Sequence, residues 1–351
     1  MAARPLRIGL IVSRSGPAGL WAATCDACTM LAAAEVNATG GVLGRQIEVV
    51  PADAGMLSAE AWSAARDLVE IEDVDAVIGM HPSSVRGAIT RGIGGRVPYV
   101  YAPMYEGGEQ SRDVLAIGAT DDELLGYAIP VLMERRRVQR FFILGNDYVW
   151  PRRAALVAAR MIAQHGGRVV GLSMQRFGIE DYSEVFAKIV HSSADIVVTM
   201  LLGEETVRFN RAFAADGLAG RVSRLCLAVD ETVLYGAGPH AHENLFVATP
   251  FVAARPARHS ERFIELYREN FGSAVPPATV FGQSCYDGVH LLAGLARSGR
   301  RPDAEALRRG FSRLASRRPG RRALPETLMA AAAQVHLAQA EGLELTVVAS
   351  R

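Results

Sequence analysis

Short apolar runs alternate with longer amphipathic stretches along almost the whole chain. Residues 6–13 are apolar and of strand length, and SGPAGLWAATCDACTMLAAAEVNATGG then reads as a turn and a long helix stopped at Gly40-Gly41. RQIEVVPAD predicts a second strand, residues 57–72 an amphipathic helix, VDAVIGM a third strand, Ser83–Arg91 a helix and VPYVYAP a fourth strand. The cycle then restarts. DDELLGYAIPVLMERRR predicts a helix, QRFFILGND a strand, and PRRAALVAARMIAQHGG a helix with Pro151 in its first turn. RVVGLSMQ, YSEVFAKIVHSS, ADIVVTMLLG, ETVRFNRAFAADG and RLCLAV continue the alternation, and NLFVATPFV adds a strand. Helices follow over 257–270, 279–298 and 303–316, and LELTVVAS closes the chain as a strand.

Strands alternating with helices of this length imply an α/β fold with parallel sheets covered on both faces. Two similar blocks in series predict two Rossmann-like lobes. The joins fall near Gly118–Asp121, Ala248–Val252 and Pro319–Pro325, three short crossovers that would act as a hinge. Residues 1–118 with 251–323 then form the N-terminal lobe, and 119–250 with 324–351 the C-terminal lobe. Ligands of such sheets bind beyond the carboxyl ends of the strands, so the cleft between facing lobes is the expected site.

Composition narrows the function. A length of 351 residues suits two domains, and a net charge of +1 gives no electrostatic case for nucleic acid or an anionic membrane. Arginines 317, 318, 321 and 322 form the one sizeable basic run, read as a solvated loop. No apolar run reaches membrane-spanning length, and the N-terminus shows no secretory pattern, so a cytoplasmic location is expected. Of four cysteines, Cys25 and Cys28 spell a CxxC, but within an Ala-rich helical pattern they read as core fillers rather than a metal knuckle. His240 and His242 flank an alanine in a loop that reads as exposed, a weak metal candidate. The chain carries no GxSxG, P-loop or HExxH motif, and no GxGxxG after its first strand, so neither catalysis nor a cofactor is expected.

Binding chemistry is better represented. Ser83 and Ser84 end a strand-to-helix loop, where either would cap the helix or offer first-turn amides to a ligand. Tyr99, Tyr101 and Tyr105 crowd the next strand end, with Tyr99 and Tyr101 on one side by strand periodicity. GNDYVWPRR places Tyr148 and Trp150 at a strand end of the second lobe, facing the first group. Aromatics with one polar tip suit a small, uncharged polar ligand. An amino-acid ligand would need a carboxylate in the cleft, with Asp147, Glu106, Glu204 and Asp230 as candidates.

These clusters, with RIGLIVSRSG, AAAEVNATGGVLGRQIEVVPADAG, VIGMHPSSVRGAI, YAPMYEGGE, LGNDYVWPRR and SCYDGVHLLAGLA, resemble the type I periplasmic-binding-protein family. Within it, YEG and DYxxPR are similar to the AmiC-type amide sensors that regulate aliphatic amidase operons. The resemblance implies that Ser83, Tyr101, Tyr148 and Trp150 hold an amide. It also marks departures: Pro103 where threonine is typical, His81 where tyrosine is usual, and Trp150 where tyrosine is common. A short-chain amide or related small polar molecule would close the cleft and control a partner, an RNA-binding transcription antiterminator. The rival reading is a solute-binding receptor of an ABC importer for urea, amides or branched-chain amino acids. A homo-oligomer is left open, because lobes of this fold often self-associate through first-lobe helices.

Overall fold

The structure, a computed structural model, describes residues 4–111, 113–256, 258–272, 278–298 and 334–351, together with Leu307, Arg309 and Phe311. Two sheets organise it. The first has order β2-β1-β3-β4-β5, formed by Leu6–Val12 (β1), Ile47–Asp53 (β2), Ala76–Met80 (β3), Tyr99–Tyr101 (β4) and Val114–Ala116 (β5), all parallel. Central strands β1 and β3 are almost continuous runs of buried aliphatics, as expected where helices cover both faces. Helices Ala22–Ala38 (α1) and Val280–Ser298 (α10) pack on one face, with Glu261–Phe271 (α9) against α1, and Ser58–Glu70 (α2) and Ser83–Ile93 (α3) pack on the other.

The second sheet has seven strands in the order β12-β11-β10-β9-β8-β6-β7. Its parallel part is Arg140–Asn146 (β6), Arg168–Gln175 (β7), Ile196–Met200 (β8), Ser223–Cys226 (β9) and Leu245–Thr249 (β10). Asp121–Arg136 (α4) leads into β6, and Val149–Gln164 (α5), Ser183–His191 (α6), Glu204–Ala215 (α7) and Glu231–Ala237 (α8) connect these strands. The chain ends in an antiparallel pair, His336–Glu341 (β11) and Glu344–Ser350 (β12), the first of them beside β10. The α/β architecture with two parallel-rich sheets is therefore the one the alternation predicts.

Three elements escape that pattern. Strand β5 is an isolated triplet, too short for periodicity, and α8 is only seven residues long. Strand β11 reads HLAQAE, poor in β-branched residues, and takes its conformation from the β10 edge and a tight turn at Gly342, φ +64°. The final pairings are antiparallel where the sequence reading expected parallel sheets throughout. Chain passes between the sheets at residues 117–120 and again after Thr249. The third expected crossing, the helix over 303–316 and the run of arginines at 317–322 lie outside the described residues, apart from Leu307, Arg309 and Phe311.

All four cysteines are buried and free, Cys25 and Cys28 on the face of α1 that meets α10. Burial pushes the Cys28 thiol up to about 12, which makes it inert filler rather than a nucleophile. His242, expected in an exposed loop, is buried at 2%, with its Nδ1 bonded to the Gly342 carbonyl. Among the described residues no cluster of His, Cys, Asp or Glu has the arrangement to hold a metal ion.

Candidate ligand-binding site

The cavity between the lobes lies beyond the carboxyl ends of the strands. Val12 ends β1, Met80 ends β3, Tyr101 ends β4, and Leu202 and Leu227 follow β8 and β9; all five line it. It leaves about 580 Å³ of unfilled space, part of it continuous with solvent. Trp21 and Phe281 form one end, with ring centroids 4.3 Å apart. Above them the lobes touch. Gly203, at φ +49° before α7, lies so close to the Pro17 carbonyl that a Cβ there would sit 2.0 Å from the oxygen. The cleft is thus described in a closed form.

His81, Ser83, Tyr101, Pro103, Tyr148 and Trp150 all line this cavity, so six of the seven residues singled out in the sequence converge from both lobes. Tyr105 does not line it. It is buried behind Tyr101, edge-on at 6.0 Å, where the shared side of β4 and its loop directs it into the core.

The hydrogen bonds made by these groups decide what they offer. His81 Nδ1 lies 3.1 Å from the Pro82 carbonyl, which obliges that nitrogen to carry the proton. Its Nε2 is then left to accept from the Tyr99 hydroxyl at 2.5 Å. Burial drives the imidazole pKa down to about 3, so the ring is neutral and fully used by the protein. Gly79 permits this pair, since a Cβ there would come within 2.8 Å of both the imidazole and the Tyr99 ring.

Ser83 was expected as a possible helix cap, but Pro82 occupies the N-cap of α3 and no side chain caps it. Ser83 instead donates to Glu106 Oε2 at 2.7 Å, and Glu106 also takes Arg86 at 2.8 Å. The neighbouring Ser84 is exposed and does not line the cavity. Tyr101 donates to the His81 carbonyl at 3.1 Å, and the Arg86 guanidinium lies 4.7 Å from the centre of its ring. With their protons spent on protein acceptors, Ser83 and Tyr101 can face a ligand only with lone pairs.

On the second lobe, Tyr148 is the N-cap residue of α5 and Trp150 sits in its first turn, ring centroids 6.1 Å apart. Trp150 Nε1 donates to Asp121 Oδ1 at 3.1 Å. Asp121 is the first residue of α4, and the Thr120–Glu123 capping box fixes that helix start immediately after the crossover. Burial pushes its carboxyl well above the usual carboxylate range, opposed by the Trp150 N–H. Sequence reasoning missed Asp121, and its only signal was the capping pattern TDDE.

None of the four carboxylates considered from the sequence lines the cavity. Asp147 and Glu204 are exposed and paired with Arg152 and Arg208. Glu106 holds Ser83 and Arg86, and Asp230 caps α8 through the Val233 amide at 3.1 Å. Ala228, on the cavity wall, is held at φ +33°, a left-handed conformation unusual for a residue with a Cβ.

A cavity closed between two doubly wound lobes, apolar in its body and polar at a few fixed points, defines a small-molecule binding protein of the two-lobed type. The chain belongs to the periplasmic binding protein family, whose profile matches residues 5–331. A curated relative, Leu/Ile/Val-binding protein homolog 4 of Brucella abortus (strain 2308), is 23% identical over 309 residues, covering 80% of this chain and 71% of that protein. Among solved structures, the branched-chain amino acid transporter substrate binding protein LivJ from Streptococcus pneumoniae, in complex with isoleucine, has a TM-score of 0.83 at 18% identity and 99% coverage of both chains. An R. palustris ABC-transporter solute binding protein in complex with 4-hydroxybenzoate has a TM-score of 0.82 at 20% identity, covering 99% of this chain and 97% of that one. Among the described residues, no helix is long and apolar enough to cross a membrane.

Proposed function

We propose that the protein is a solute-binding receptor that closes its lobes over a short-chain amide or a related small polar molecule and presents the closed form to an ABC importer. The importer is favoured by the relatives, which are named as transporter substrate-binding and amino-acid-binding proteins. The ligand class rests on one observation, the spent protons of Ser83 and Tyr101. An acceptor-lined polar end calls for a ligand that donates, and an amide NH2 supplies two donors beside a short apolar body. Tyr148, on the opposite wall, offers its phenol to the amide oxygen. We likewise propose the lobe bounds read from the sequence, residues 1–118 with 251–323 and 119–250 with 324–351.

A second reading keeps the same pocket and changes the partner. A cytoplasmic sensor would release an RNA-binding antiterminator when the lobes close, and the resemblance carried by YEG and DYVWPRR favours it. In either case the ligand acts only through its differential affinity for the closed form.

Thermal denaturation with millimolar acetamide, propionamide, butyramide, urea, isoleucine and benzoate tests the ligand class. A ligand at 100 times its dissociation constant adds about 2.7 kcal/mol to stability, a clear rise in midpoint. The rise is expected with an amide and is lost in Tyr148→Ala. A rise with isoleucine alone would replace the amide by an amino acid.

A further inference from the structure

Asp121 is the one carboxyl group among the described residues lining the cavity, which they supply with no cationic side chain. The residue is 1% exposed and sits at the rigid start of α4, its backbone N–H held by the Tyr105 carbonyl at 3.0 Å. Its two oxygens are unequal. Oδ1 accepts from Trp150 Nε1 at 3.1 Å, whereas Oδ2 has no hydrogen-bond partner. A buried, unpaired carboxyl oxygen is costly, so its retention on a residue of the cavity wall points to a partner supplied from outside the chain.

We propose that Asp121 Oδ2 determines the specificity of this cavity, hydrogen-bonding the polar end of an uncharged carboxamide and turning away carboxylates. The inference rests on the amide reading above and adds to it a residue and an excluded class. An amide offers a donor and an acceptor at one end and so satisfies Oδ2 whether or not that oxygen carries a proton. A carboxylate offers only acceptors to the lone pairs of Ser83 and Tyr101, and adds a like charge wherever Asp121 is ionised. The R. palustris relative that holds 4-hydroxybenzoate carries a ligand of the class this chain would reject.

Near-isosteric pairs isolate the effect. Benzamide against benzoate, and isobutyramide against isobutyrate, are titrated calorimetrically into the native protein and into Asp121→Asn. The amide member is expected to bind native protein at least roughly tenfold more tightly, because a site built around one hydrogen-bonding pattern rejects its mismatch strongly. Asp121→Asn puts an amide group in place of the carboxyl and should shrink that preference at least tenfold. Asp121→Ser serves if the asparagine variant melts far below native protein. Amide binding with the same preference in the variants overturns this inference alone, as does a native preference for the acids. If neither member of either pair binds, the amide reading falls and this inference falls with it.

Discussion

Glu231 shows how a single buried side chain sets a pH dependence. It opens α8 at 4% exposure, and burial, with the neighbouring Asp230 charge, raises its carboxyl to about 8. The native state therefore binds more protons than the unfolded chain between about pH 4.5, the ordinary glutamate value, and pH 8. Its stabilising contribution is full below that lower limit and is lost as pH rises through the upper one. Glu231→Gln should melt like native protein near pH 4.5 and increasingly above it up to pH 8, as followed by circular dichroism. An equal gain at every pH would sink the assignment. Residues such as this are illegible in sequence, where nothing about Glu231 signals that the fold will bury it. Ser83, Tyr101, Tyr148 and Trp150 were legible because they stand at strand ends, whereas Asp121 was hidden as one acid of a helix-capping run. Only the crossover that brings α4 beside α5 makes it a wall of the cavity.

At the level of elements, the start of α4 governs the site more than its length suggests. Thr120 Oγ1 donates to Glu123 Oε2 at 2.7 Å, and the Thr120 amide donates to the same oxygen at 2.8 Å. Thr120→Ala should cost about 1 kcal/mol of stability, within the range found for lost caps, and Thr120→Ser should restore most of it. Chemical denaturation measures both, and an alanine variant as stable as native protein would show the box to be idle. The continuous apolar runs of β1 and β3 and the amphipathic spacing of α2 and α5 could be read from the chain, because burial leaves its mark in the residue types themselves. Strands β5 and β11 could not, since each becomes a strand only through the edge it joins: Val114–Ala116 beside β4 and His336–Glu341 beside β10.

For the molecule as a whole, the described form is closed, and the contact of Pro17 with Gly203 joins the lobes above the cavity. Gly203→Ala places a methyl against that carbonyl and should hold the lobes apart. Small-angle scattering with a saturating amide should then show a larger radius of gyration than for native protein, with weaker binding. Equal radii would mean that the lobes close without this contact. The contact is made of main-chain atoms, a carbonyl oxygen against a bare Cα, while the side chains at positions 83, 101, 121 and 148 line the cavity. The clasp and the keyhole are therefore made of different parts. Substitutions can recut the keyhole for a new solute and leave the clasp intact, so one closing motion serves many ligands.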